Sequence, residues 1–93
     1  MREADAVTQL ARAVRASARA TGLCATMVGE RSRPWSSATF VGEVVEAGLR
    51  VSGPGAEGWL AALPGADLPM RGWYVADLEV GDGGLRALLL RAA

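Results

Sequence analysis

Trp73-Tyr74-Val75-Ala76-Asp77-Leu78-Glu79-Val80-Gly81-Asp82-Gly83-Gly84-Leu85-Arg86-Ala87-Leu88-Leu89-Leu90-Arg91 sets Asp-Gly between two apolar runs, the signature of a tight β-hairpin. With Asp82-Gly83 as a two-residue loop, Val80 faces Leu85, Glu79 faces Arg86 and Asp77 faces Leu88. Strict alternation then places Tyr74, Ala76, Leu78, Val80, Leu85, Ala87 and Leu89 on one side of the hairpin. Trp73, Val75, Leu88 and Leu90 fall on the other, with Asp77, Glu79 and Arg86 near the turn. Antiparallel sheets in small domains commonly leave one face to water, so a hairpin apolar on both faces needs two covers.

Upstream of the hairpin the pattern supplies one cover. Residues Glu3 to Ala20 predict a helix, with Val7, Leu10, Ala11, Val14 and Ala18 in one stripe and Gly22 as its stop. Acids in its first turn and Arg15 and Arg19 in its last suit the helix dipole. Leu23 to Glu30 and Ala38 to Val45 predict strands joined by the polar loop Arg31 to Ser37. Glu46-Ala47-Gly48 is expected to turn into a short strand, Leu49 to Ser52. A short helix opens near Pro54, carries Trp59, Leu60 and Leu63 inward, and ends at Pro64-Gly65. The expected order is therefore α-β-β-β-α-β-β: an α+β two-layer sandwich with both helices on one face of a mostly antiparallel five-stranded sheet.

Ninety-three residues predict one domain, residues 1–93. Ten Arg balance ten acids, so no strong net field draws the whole chain to a polyanion. Lys, His, Asn and Ile are absent and Ala, Gly and Arg abound, a bias expected of a GC-rich bacterial genome. A single Cys24 excludes an internal disulfide and fits a reducing, cytoplasmic setting. No apolar run approaches membrane-spanning length. The Ala- and Arg-rich start has the flavour of a transit peptide, but Glu3 and Asp5 oppose that reading.

Enzyme chemistry has little raw material. Without His or Lys there is no ordinary proton shuttle near neutral pH and no amine nucleophile. Cys24 is expected to be a small buried hydrophobe. Asp77 and Glu79 share a strand face, but Arg86 opposite Glu79 predicts a cross-strand ion pair instead of a catalytic or hard-metal site. One Cys and no His leave a transition-metal site without donors. Gly53-Pro54-Gly55-Ala56-Glu57-Gly58 matches G-x-G-x-x-G, with Asp77 about twenty residues on. The following helix is too short, however, and no further βαβ unit follows, so no cofactor is expected.

Two binding surfaces remain. The geometric shortfall of the helices makes Trp73, Val75, Leu88 and Leu90 the expected contact with a partner protein, with a homodimer first in line; Trp is enriched at the centres of interfaces. The alternative is a nucleic-acid-binding module in which Arg31 and Arg33 hold phosphate and Trp35 stacks a base, aided by the stripe Arg12, Arg15 and Arg19. The α-β-β-β-α order of the first two thirds resembles the double-stranded-RNA-binding domain. Where that family opens its second helix with phosphate-binding Lys, this chain reads Gly55-Ala56-Glu57-Gly58, and no motif residue carries over. The full order also looks like that of the dimeric type III secretion chaperones, which are interaction proteins; those are longer and more acidic and end in a further helix.

Overall fold

Helix formation starts at Asp5, whose carboxylate accepts a 2.8 Å hydrogen bond from the Thr8 N–H and caps α1, Ala6–Ala20. The computed structural model describes residues 5–92, so the expectation at Glu3 lies outside the described residues. The buried face of α1 comprises Ala6, Gln9, Leu10, Ala13, Val14 and Ala18. Its small side chains let the helix approach the sheet closely, and Val7 and Ala11 pack at the flank. The chain leaves α1 through Thr21 and Gly22, whose N–H groups return to the Ala18 and Arg19 carbonyls.

Four antiparallel strands follow in the order β1-β2-β4-β3: β1 Cys24–Ser36, β2 Val41–Ser52, β3 Trp73–Gly81 and β4 Gly84–Arg91. The short helix α2, Ala56–Ala62, and a 3-10 turn at Leu63–Gly65 connect β2 to β3. The element order is α-β-β-α-β-β, one strand fewer than expected, which removes both likenesses of element order noted above.

The lost strand has a physical cause. A tight turn at Glu46-Ala47-Gly48 would set Ala47 in a left-handed conformation that L side chains resist. Instead Val45, Ala47, Leu49 and Val51 alternate inward without a break. Gly48 serves the sheet differently, because a Cβ there would stand 2.9 Å from Val28 Cγ2. The turn lies at Ser37–Phe40, where the Ser37 N–H donates to the Phe40 carbonyl at 2.8 Å. The Ser37 hydroxyl accepts from the Phe40 N–H at 3.1 Å. The predicted loop Arg31 to Ser37 is accordingly mostly strand.

The C-terminal hairpin keeps its expected register near the turn: Val80 opposite Leu85, Glu79 opposite Arg86, Asp77 opposite Leu88. Beyond Asp77 the register slips by one at Ala76, and Val75 pairs with Leu89, Tyr74 with Leu90 and Trp73 with Arg91. A bulge of this kind turns every later side chain to the opposite face. One core cluster therefore gathers Leu78, Leu85, Ala87 and Leu89 with α1, Trp59 and Leu63, and both Trp73 and Val75 pack against it. Arg91 stacks over the Trp73 ring at 5.1 Å.

Two polar contacts lock the connections. The Gln9 side-chain amide donates to the Arg71 carbonyl at 2.9 Å and accepts from the Arg71 N–H, fixing the segment that leads into β3. The Trp59 indole N–H donates to the Ser17 hydroxyl at 3.1 Å, tying α2 to α1.

Candidate functional site

The candidate site is the sheet face opposite the core, assembled by two bulges. In β1 the register slips between Val28 and Arg31, with Gly29 at φ 62°, the left-handed glycine of a G1 bulge. Without the extra residue Arg31, Arg33 and Trp35 would point toward the core; with it they join the second face. The Ala76 bulge does the converse in β3, sending Trp73 and Val75 to the core and Tyr74 outward.

Strand registers then align the face in rows. The first runs Trp35, Gly42, Leu90, Tyr74 across β1, β2, β4 and β3; the second runs Arg33, Val44, Leu88, Asp77; the third runs Arg31, Glu46, Arg86, Glu79. A fourth, Val28, Gly48, Gly84, Gly81, is short and flat. Val44 and Leu90 are each 6% exposed yet lie outside the core cluster, so this face holds an apolar strip of its own. Leu90 lies over Gly42, where its Cδ2 would come within 2.9 Å of any Cβ. Leu88 and Trp35 are half-buried at the margin, and Tyr74 is 42% exposed. A shallow depression between Arg33 and Asp77 has Val44 and Leu88 in its floor.

Charge on the face is ordered. Arg31 and Arg33 occupy β1 at one edge, Asp77 and Glu79 occupy β3 at the other, Glu46 and Arg86 lie between them, and exposed Arg50 follows Gly48 on β2. Glu79 and Arg86 are opposite in register, but among the described residues they form no ion pair. Their charges stay free to meet something else.

The expected partner surface is thus half corrected. Leu88 and Leu90 belong to the second face; Trp73 and Val75 belong to the core, because the Ala76 bulge shifts their phase. Arg31, Arg33 and Trp35, predicted as an independent loop, stand on the same face as Leu88 and Leu90. Arg12, Arg15 and Arg19 are exposed on α1, which packs on the core side of the sheet, so they do not extend this surface. Sequence reasoning missed Tyr74, Val44 and Gly42 as members of the site. The sequence hid Tyr74, because the even positions 74, 76, 78 and 80 are all apolar and alternate straight through the bulge.

Other expectations end plainly. Cys24 is exposed at the start of an edge strand instead of buried. Gly53 to Gly58 opens a seven-residue helix, too short for a dinucleotide-binding unit. Among the described residues no cluster of His, Cys, Asp or Glu could hold a metal ion. No described helix is long and apolar enough to cross a membrane. A groove between α1 and residues 67–71 is walled by Ala13, Ala16, Ala20, Pro69 and Met70, with the Gln9–Arg71 clamp at its base. Comparison with protein-family models, curated proteins and solved structures finds no match to this chain.

Proposed function

We propose that this chain is a non-enzymatic protein-interaction domain, acting in the bacterial cytoplasm without a cofactor and binding another protein chain through its second sheet face, as a homodimer in the simplest case. On this reading the fold is a two-layer sandwich with both helices on the core side, which leaves the second face to a partner. The observation that carries the reading is the apolar floor of Val44 and Leu90, outside the core cluster and covered within the chain, with half-buried Trp35 and Leu88 and exposed Tyr74 around it. Edge-to-edge pairing is the less favoured route. Both edge strands are bulged, and Pro34 removes an N–H from β1.

Light scattering behind a sizing column tests the proposal, with a dimer expected at tens of micromolar. Leu88→Arg should dissociate it while the helical circular dichroism signal persists. A wild-type monomer at all accessible concentrations overturns the homodimer; unfolding of the Leu88→Arg monomer would place Leu88 in the structural core.

A second reading, nucleic-acid binding, draws on Arg31, Arg33 and Trp35 sharing a face with Tyr74. Asp77, Glu79 and Glu46 on that face oppose it. It requires retention on heparin at low salt with a steep salt dependence, and a flow-through result removes it.

A further inference from the structure

We propose that the occupant of the second face is another copy of this chain, stacked face to face about a two-fold axis that runs parallel to the strands between β2 and β4. This inference rests on the binding role assigned above and adds the partner and its orientation. Its ground is the charge order across the sheet. Arg33 and Asp77 share a row but stand three strands apart, about 14 Å at ordinary strand spacing, so they do not satisfy each other within one copy.

An isologous stack of two sheets has only two simple orientations. With the axis across the strands, β1 lies over β1 and β3 over β3. Arg33 then meets Arg33 and Asp77 meets Asp77, a like-charge juxtaposition at both edges. With the axis along the strands, β1 lies over β3 and β2 over β4, and each row lies on its own copy. Arg31 then faces Glu79 of the second copy and Arg33 faces its Asp77.

The inner columns match in the same arrangement. Glu46 faces Arg86 of the second copy and Val44 faces its Leu88. In the first row, Leu90, folded over Gly42 of its own chain, meets the same low apolar surface of the second copy. Trp35 meets Tyr74 at the rim, an aromatic pair of the sort that favours offset stacking. Aligned sheets cross at about 30°, which displaces edge positions by roughly 4 Å, within the reach of an Arg side chain.

The footprint sets the strength. Four strands and four rows at ordinary spacings give a flat area of roughly 500 Å² per copy, at the small end for a stable dimer. The association is therefore weak, micromolar and sensitive to salt.

Sedimentation equilibrium on the full chain tests the geometry, with Arg31→Glu/Arg33→Glu, Asp77→Arg/Glu79→Arg and the fourfold combination. All four residues are exposed, so folding should survive, and circular dichroism checks it. Each double variant should weaken the dimer about 100-fold, since four cross-copy attractions become repulsions. The fourfold variant, with both edges reversed, should return to within about threefold of the wild type. Equimolar mixing of the two double variants should restore dimer as the heterodimer, an independent arm should the fourfold chain misfold. Double variants that dimerise like the wild type, or a folded fourfold variant that stays monomeric, overturn the orientation while leaving the binding role standing. A wild-type monomer at all accessible concentrations overturns the second copy as occupant, and a wild-type dimer indifferent to Leu88→Arg overturns the second face as the binding surface.

Discussion

Gly42→Ala should be among the most destabilising single-methyl additions in the sheet. Gly42 pairs with Leu90 across β2 and β4, and a Cβ at this position would overlap the Leu89 carbonyl oxygen and stand 2.9 Å from Leu90 Cδ2. The first obstacle is backbone, so no rotamer change removes it, and the two strands must separate locally. Overpacking of this kind costs roughly 1–3 kcal/mol. Weakening two adjacent ladder hydrogen bonds adds about 1 kcal/mol each. Against this, Ala stiffens the unfolded chain by about 0.5 kcal/mol. The net expectation is a loss of about 3 kcal/mol, a large part of the stability of a small domain. Urea unfolding followed by circular dichroism should show the midpoint falling by about 2 M at an m-value of roughly 1.5 kcal/mol/M. Gly58→Ala is the control: it sits in α2 with nothing within 4 Å of the new Cβ and should gain about 0.5–1 kcal/mol from helix propensity. A Gly42→Ala midpoint within experimental error of the wild type would show that β2 and β4 are not in this register.

Three further outcomes follow from the packing. Trp73→Ala should cost about 2–3 kcal/mol in chemical unfolding, while Tyr74→Ala costs under about 1 kcal/mol and weakens only association; the reverse order would mean that β3 lacks its bulge. Gln9→Leu should destabilise by about 1–3 kcal/mol, because the Arg71 N–H and carbonyl lose their partner, and hydrogen exchange should speed up at Arg71 but not in β4. The Asp5 carboxyl is held below its ordinary value of 3.8 by hydrogen bonding from Thr8, the backbone N–H foremost. Its contribution is thus present above about pH 4 and lost as the pH falls through the lowered value. Asp5→Ala should cost about 1 kcal/mol at pH 7, whereas Asp5→Asn keeps the cap and flattens that part of the acid limb.

Much of the topology was legible because periodicity and turn chemistry agreed. The α1 stripe through Leu10, Val14 and Ala18, the Asp82-Gly83 loop and the short helix around Trp59 all follow from local pattern. The first hairpin was misread where Gly48 looked like a turn residue. A glycine required by the close approach of Val28 is indistinguishable, in a single sequence, from one required by a left-handed turn. The unbroken alternation of Val45, Ala47, Leu49 and Val51 was the stronger signal, since a turn would have broken it. Gln9 escaped notice because an amide in an apolar stripe declares its partner only when the fold brings residue 71 to it.

The second face was the least legible part, because it is made by two insertions that local pattern treats as noise. Neither Gly29 nor Ala76 carries chemistry, yet each decides which residues do. The Gly29 bulge turns two Arg and a Trp outward on one edge, while the Ala76 bulge buries Trp73 and leaves Tyr74, Asp77 and Glu79 outward on the other. The same bulges distort the edges against strand addition, so one device both closes the edges and composes the face. This explains why the two binding surfaces expected from the sequence, one apolar and one basic, are parts of a single surface. It also explains why that surface carries acids as well as Arg. A face built for a polyanion would have no use for Asp77 and Glu79 opposite its Arg edge, whereas the proposed stack on a second copy would pair them with Arg33 and Arg31.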